Sequence, residues 1–239
     1  MNRIRSSVSV YFFAVTMLLA GAQAQSTASG GAGPASLDSV LTQMDTAAAR
    51  FRSAEADFKA DNYQKVVNET DTQTGKIYFR RSGKGELQMA SRFQPPDDKY
   101  VTYTDGKVRV YQPKIDQVNE YDAGKNRSEI ESFMLLGFGG RGHDLEQQFE
   151  VKLAGNEDVN GTPTTKLELV PKAPKVKNMF DRILIWVDPS RAISLKQQFF
   201  EPSGDYRITS YSNIKVNSKI SDDVFKLHTT GHTKTVKGS

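Results

Sequence analysis

The sequence predicts an α+β protein that is mainly antiparallel β-structure, on three observations. Downstream of residue 53 the apolar residues recur with a period of two in many short segments, the spacing of half-buried strands. Turn signals at Asp105-Gly106, Asn160-Gly161, Asp188-Pro189 and Ser203-Gly204 separate several of these segments. Helical periodicity is confined to one stretch near the start of the chain and two short ones in its middle.

The chain has 239 residues, enough to bury a sizeable core without staples. It opens with Arg3 and Arg5, an apolar run from Val10 to Ala20, and the small-x-small site Ala22-Gln23-Ala24. This is the layout of a cleaved secretory signal peptide over residues 1–24, with the periplasm as the expected destination. The apolar run is shorter than the roughly 20 residues of a permanent span. The chain has no cysteine, which excludes disulfides, thiol nucleophiles, thiolate metal sites and a lipid-modified N-terminal cysteine. Residues 25–35 read as a flexible leader of small residues with nothing to bury.

Ser36 is placed to cap a helix over residues 37–51, where Leu37, Val40, Leu41, Met44, Ala47, Ala48 and Phe51 form an apolar stripe. The period then changes. Ala54, Ala56, Phe58 and Ala60 alternate with Glu55, Asp57, Lys59 and Asp61. Ile77 and Phe79 alternate with Tyr78 and Arg80, and Leu87, Met89, Ser91 and Phe93 with Glu86, Gln88, Ala90 and Arg92. Further strands are expected at 99–104, 107–111 and 117–121, then at 149–154, 164–170, 182–188, 192–200 and 206–214. Between the two sets lie short helices at Ser128–Leu136 and Asp144–Gln148. Residues 36–230 read as one domain and 231–239 as a tail.

Several functions are excluded or disfavoured by what the chain contains. The formal net charge is +4; without the two signal arginines, 30 basic residues stand against 28 acidic ones, mixed throughout, which gives no argument for nucleic acid. Gly137, Gly139 and Gly142 match the spacing of a dinucleotide-binding loop, but that loop needs a buried parallel strand before it and a crossover after it. Here a helix start precedes the glycines and antiparallel structure follows, so they read as a helix stop and hinge. Only three histidines exist, and no Gly-x-Ser-x-Gly elbow accompanies them. His143 reads as a solvated loop residue; His228 and His232 have a helical metal-pair spacing, but Gly231 and three threonines surround them. The sequence therefore predicts a protein that binds rather than catalyses, without metal or cofactor.

What remains is an apolar sheet face carrying Phe58, Ile77, Phe79, Leu87, Met89, Phe93, Ile183, Ile185 and Val187, opposed by helices with apolar stripes. Either the helices plug the sheet into a dry core, or they cover it incompletely and leave a hydrophobic cavity. Phe133, Met134, Leu136 and Phe138, beside the glycines, would then form a greasy lid. The order of the segments, with "GKIYFRR", "DGKVRVYQP", "SFMLLGF", "ILIWVDP" and Tyr211 to Ile214, resembles the periplasmic outer-membrane lipoprotein carrier (LolA-like) family over residues 36–230.

The resemblance implies a strongly curved, incomplete antiparallel barrel (a half-barrel) with a few helices as a lid. It implies a monomeric carrier that takes the acyl chains of lipidated proteins from an inner-membrane transporter to an outer-membrane acceptor. The candidate lipid-binding residues are Phe58, Phe79, Met89, Phe93 and Ile185 of the sheet and Phe133, Met134, Leu136 and Phe138 of the lid. The family's lid-holding arginine corresponds to Arg81, with Arg80 beside it. The chain departs from the family pattern at Ser82, where proline is usual, and at Arg109, where tryptophan is common. A sensor of lipids or acylated proteins on the same fold is the alternative; it would ordinarily need a second interaction domain. The exported protein is expected to start at Gln25, and an intact mass that retains residues 1–24 refutes this.

Overall fold

A computed structural model describes residues 36–238 apart from 84, 189 and 192. The signal peptide, the leader and the Pro189 half of one turn signal lie outside the described residues. Helix α1 (Leu37–Arg50) starts where Ser36 Oγ accepts from the Ser39 amide at 3.1 Å, and it buries Val40, Leu41, Met44 and Ala48 on one face. Strands β1 (Ser53–Gln64), β2 (Glu69–Arg81), β3 (Leu87–Phe93), β4 (Lys99–Thr104), β5 (Lys107–Gln112) and β6 (Gln117–Asp122) form an antiparallel meander. A covering segment follows, with α2 (Arg127–Met134), a tight turn, and α3 (Gly142–Gln148).

The second meander comprises β7 (Phe149–Val159), β8 (Thr162–Pro171), β9 (Arg182–Asp188), β10 (Ile193–Phe200) and β11 (Tyr206–Val216), with α4 (Pro174–Lys177) between β8 and β9. The two meanders join through antiparallel pairing of β1 with β11, giving one 12-stranded sheet in the order β12-β6-β5-β4-β3-β2-β1-β11-β10-β9-β8-β7. Its last member, β12 (Lys234–Lys237), runs parallel to β6 and falls inside the region expected to be a tail. Bulges at Glu55/Asp57, Leu153/Asn156 and Ser194/Lys196 bend their strands and increase the local twist. The result is an open, mainly antiparallel sheet with a few helices, as the alternation predicts, and it is curved, as the resemblance implies.

The covered face is packed in two adjoining clusters. One contains Phe58, Phe79, Met89 and Tyr211 of the sheet with Leu135 and Phe138 of the covering segment. The other packs Val40, Leu41 and Met44 of α1 and Leu136 against Leu167, Leu169, Ile183, Ile185 and Val187. Each fully buried side chain of this size contributes on the order of 1.5–3 kcal/mol relative to exposure. Gly75 in β2 has a local purpose: a Cβ there would stand 2.8 Å from the Phe58 ring and closer still to the Arg92 carbonyl. The missing side chain is the space into which Phe58 turns.

The three glycines of the dinucleotide-like pattern are packing contacts. A side chain on Gly137 would collide with Ser194, on Gly139 with the Phe51 ring, and on Gly142 with the Leu41 backbone. Gly137 and Gly139 also have positive φ (78° and 74°). The chain thus passes over β10 and α1 at backbone contact distance, so these glycines are close-packed with the cover in this position.

His143 is likewise not a solvated loop residue. Its Nδ1 lies 2.6 Å from Asp45 Oδ2 of α1, its Nε2 lies 3.4 Å from Asp38, and its amide donates to Asp45 at 3.3 Å. The hydrogen bond to Asp45, then that to Asp38, raises the His143 pKa above its ordinary 6.5. Burial pushes Asp45 up, but the hydrogen bonds from the His143 ring and amide outweigh it and hold the carboxyl below 3.8. A raised histidine stabilises the fold fully below pH 6.5 and loses that contribution as the pH rises through the raised value. The melting temperature is expected to fall between pH 6 and pH 9, and to fall less in His143→Gln. Equal falls in the two proteins refute the clamp.

Candidate functional site

Between the concave face and the covering segment lies a cavity of about 280 Å³. The period-two alternation of β1, β2 and β3 puts Phe58, Phe79, Met89 and Phe93 on its wall. Phe133, Met134, Leu136 and Phe138 face it from the covering segment, and Ala60, Ile77, Phe199 and Tyr211 complete the apolar lining. The rings interlock: Phe58 meets Phe93 edge-on at 5.1 Å, Phe138 stacks on Phe79 at 5.1 Å, and Phe138 meets Tyr211 edge-on at 4.8 Å.

Eight of the nine side chains expected at a cavity therefore converge on one chamber. Ile185 does not. It is wholly buried in the second cluster, beneath α1. Alternation identified its face of the sheet correctly, but α1 occupies that part of the face.

Arg81 and Arg80 point to opposite sides of β2, as neighbours in a strand must. Arg81 Nη2 donates to the Gly139 carbonyl of the covering segment at 3.4 Å. Arg80 belongs to the other face, where it binds Asp222 at 2.6 Å and lies 4.4 Å from the Phe225 ring centroid.

Other contacts that tie down the covering segment were not foreseen. Gln197 Nε2 donates to the Leu136 carbonyl, and Gln197 Oε1 accepts from the Tyr211 hydroxyl at 3.0 Å, both in buried surroundings. Burial pushes the Tyr211 pKa up, so the phenol stays a donor. The Ser194 amide donates to the Gly137 carbonyl at 2.7 Å, and Phe138 forms an antiparallel bridge with Ile193. At the α2 end, Glu131 accepts from the Tyr103 hydroxyl at 2.7 Å and from Arg127 Nε at 2.8 Å. Burial and then the Glu131 bond push Tyr103 up to about 12.

The chamber also has polar lining residues: Gln73, Ser91, Lys99, Gln197, Arg207 and Thr209. Among the described residues no group of three or more His, Cys, Asp or Glu side chains is arranged to hold a metal ion. The arrangement can hold apolar matter against aromatic walls, under a cover fastened by a few hydrogen bonds.

The sequence matches the family model described as "Outer membrane lipoprotein carrier protein LolA" over residues 49–228. The chain belongs to the LolA family. No curated protein matches it. Among solved structures, an uncharacterised conserved protein from Thermus thermophilus is similar at 10% identity and a TM-score of 0.55, covering 84% of this chain and 98% of that one. The complex of Pseudomonas aeruginosa MucA and MucB gives 14% identity and a TM-score of 0.50, covering 80% of this chain but only 61% of that one. At these identities the likeness is one of fold.

Two variants separate fastening from folding. Gln197→Leu leaves the Leu136 carbonyl and the Tyr211 hydroxyl without this partner and should cost about 1–3 kcal/mol in a urea melt. Arg81→Leu removes one long, partly exposed bond and should change the melt by less than about 0.5 kcal/mol. Both should speed amide hydrogen exchange across residues 135–140, and exchange as slow as in the parent protein refutes the fastening role.

Proposed function

We propose that this LolA-family chain is a periplasmic carrier that holds the acyl chains of lipoproteins in its chamber and moves them from the inner to the outer membrane. The observation that carries the proposal is the chamber itself, lined by six phenylalanines and closed on one side by a segment fastened through single hydrogen bonds. Burial of an acyl chain is worth about 0.8 kcal/mol per methylene, and a bilayer offers the same gain. A carrier therefore needs a site that roughly matches the membrane, and pliable Phe, Met and Leu walls suit that better than a rigid pocket. The volume of about 280 Å³ lies near the lower end of small-molecule pockets, roughly 300–1,000 Å³. Loading of whole acyl chains thus requires the covering segment to act as a lid and swing. Arg81 and Gln197 are its fastenings in this reading. The partners are a lipidated protein as cargo, a transporter that supplies it and an acceptor that receives it, and no catalytic step is involved.

A sensing role is the second reading, favoured by the fold-level likeness to MucB, which is found in complex with MucA. Transfer of a fluorescent lipopeptide between donor and acceptor vesicles separates the two. A carrier accelerates the transfer, whereas a sensor binds the lipopeptide without delivering it.

Leu136→Asp tests the lid directly. A carboxylate locked into a dry core costs several kcal/mol, a large part of the 5–15 kcal/mol or so that stabilises a domain. A lid that can turn outward should limit the loss to about 1–3 kcal/mol while lipopeptide binding, read by displacement of a hydrophobic dye, fails. A folded variant that binds lipopeptide as well as the parent overturns the proposal.

A further inference from the structure

The chamber is not apolar throughout. Its lining includes Lys99, the first residue of β4, and Arg207, near the start of β11. Both strand ends lie at the same end of the curved sheet, where Tyr63 pairs with Tyr206 and Phe93 with Lys99. Each cation is held over an aromatic ring of the wall. Lys99 Nζ is 4.2 Å from the Phe93 ring centroid, and the Arg207 guanidinium is 5.2 Å from that of Phe199. Among the described residues neither has a carboxylate within salt-bridge distance or a side-chain hydrogen-bond partner. Lys99 is half-buried and Arg207 exposed, so the pair stands where the apolar chamber meets water. Gln73 joins them at this mouth; Asp97 accepts from its amide at 2.9 Å but does not itself line the chamber. The fastened side of the chamber, at Phe79 and Phe138, lies six residues along β2 from Gln73, or about 20 Å of strand.

We infer that the mouth selects amphiphiles with an anionic head group, which Lys99 and Arg207 grip while the acyl chain runs inward toward Phe79 and Phe138. This rests on the acyl-chain reading of the chamber and extends it from lipoproteins to free acyl lipids, for which it gives the head-group class. The rings under the two cations hold their long side chains over the opening, so little ordering remains to be done when an anion arrives. An apolar chain without a charge gains nothing from either residue. The shared chemistry is a monoanion attached to an acyl chain, supplied either by a fatty acid carboxylate or by a phosphodiester lipid head.

The test uses the mature protein loaded with an uncharged hydrophobic dye, so that the reporter does not itself sense the cations. Palmitate is compared with its methyl ester, and palmitoyl lysophosphatidylglycerol with palmitoyl lysophosphatidylcholine. The anionic member of at least one pair should displace the dye at about tenfold lower concentration than its uncharged or zwitterionic counterpart. Which pair shows the preference identifies the source of the anion. In the Lys99→Gln/Arg207→Gln double variant, its fold checked by circular dichroism, the ratio should fall to about one, and in Lys99→Glu/Arg207→Glu it should drop below one. Equal displacement within both pairs by the parent protein, or a preference that survives in the double variants, overturns the inference while leaving the acyl-chain site standing. If the dye binds and no amphiphile displaces it, the acyl-chain reading fails as well.

Discussion

β1 and β11 lie about 150 residues apart in the chain, yet they pair from Ala54 with Val216 to Tyr63 with Tyr206, and the chamber exists because they do. Closing a loop of that length costs entropy that grows only slowly with length, but it must be spent before the contacts that repay it can form. Phe58, Phe79, Met89 and Phe93 come from one side of this seam, and Gln197, Phe199, Arg207 and Tyr211 from the other. Neither meander alone has both walls. The covering segment is spliced between the meanders, so the same pairing that makes the concave face also brings its cover back over it.

The cover belongs to two packed bodies at once. Phe138 packs with Phe79 and Tyr211, whereas Leu136, two residues away, packs with Val40, Leu41 and Met44 of α1. Movement of this segment therefore disturbs both the chamber and the packing of α1. The His143–Asp45 contact lies on that second connection, so the protonation of one imidazole acts on how firmly α3 is held to α1.

Much of this was legible in the sequence where one face of a strand is buried and the other is not. β4 and β9 have the ends that alternation gives them, β3 starts one residue later than it gives, and Phe58, Phe79, Met89 and Phe93 meet at one chamber because the alternation is sharp there. The outer half of the β1–β2 hairpin was missed because residues 65–72 are exposed, which removes the contrast that marks a strand. β12 was missed for the same reason: Lys234 to Lys237 are exposed and become a strand only through β6. Gln197 was hidden by the bulge between Ser194 and Lys196. The bulge resets the alternation, so that Ser194 and Gln197 both meet the cover while Leu195 packs with Trp186 in another cluster. Ile185 shows the converse limit: a period assigns a residue to a face, and only the tertiary fold decides what sits on that part of it.

The bonds from Gln197, Ser194 and Arg81 all end on main-chain carbonyls, those of Leu136, Gly137 and Gly139. A carbonyl is present whatever side chain the residue carries. The attachment is therefore indifferent to the identity of Phe133, Met134, Leu136 and Phe138, which face the chamber. Substitution among bulky apolar residues at those positions can reshape the interior while the attachment points stay in register. For the proposed carrier, selectivity and retention would then be separately evolvable traits, one written in side chains and the other in backbone. The freedom stops at Gly137 and Gly139, where any side chain would lift the carbonyls away from their donors.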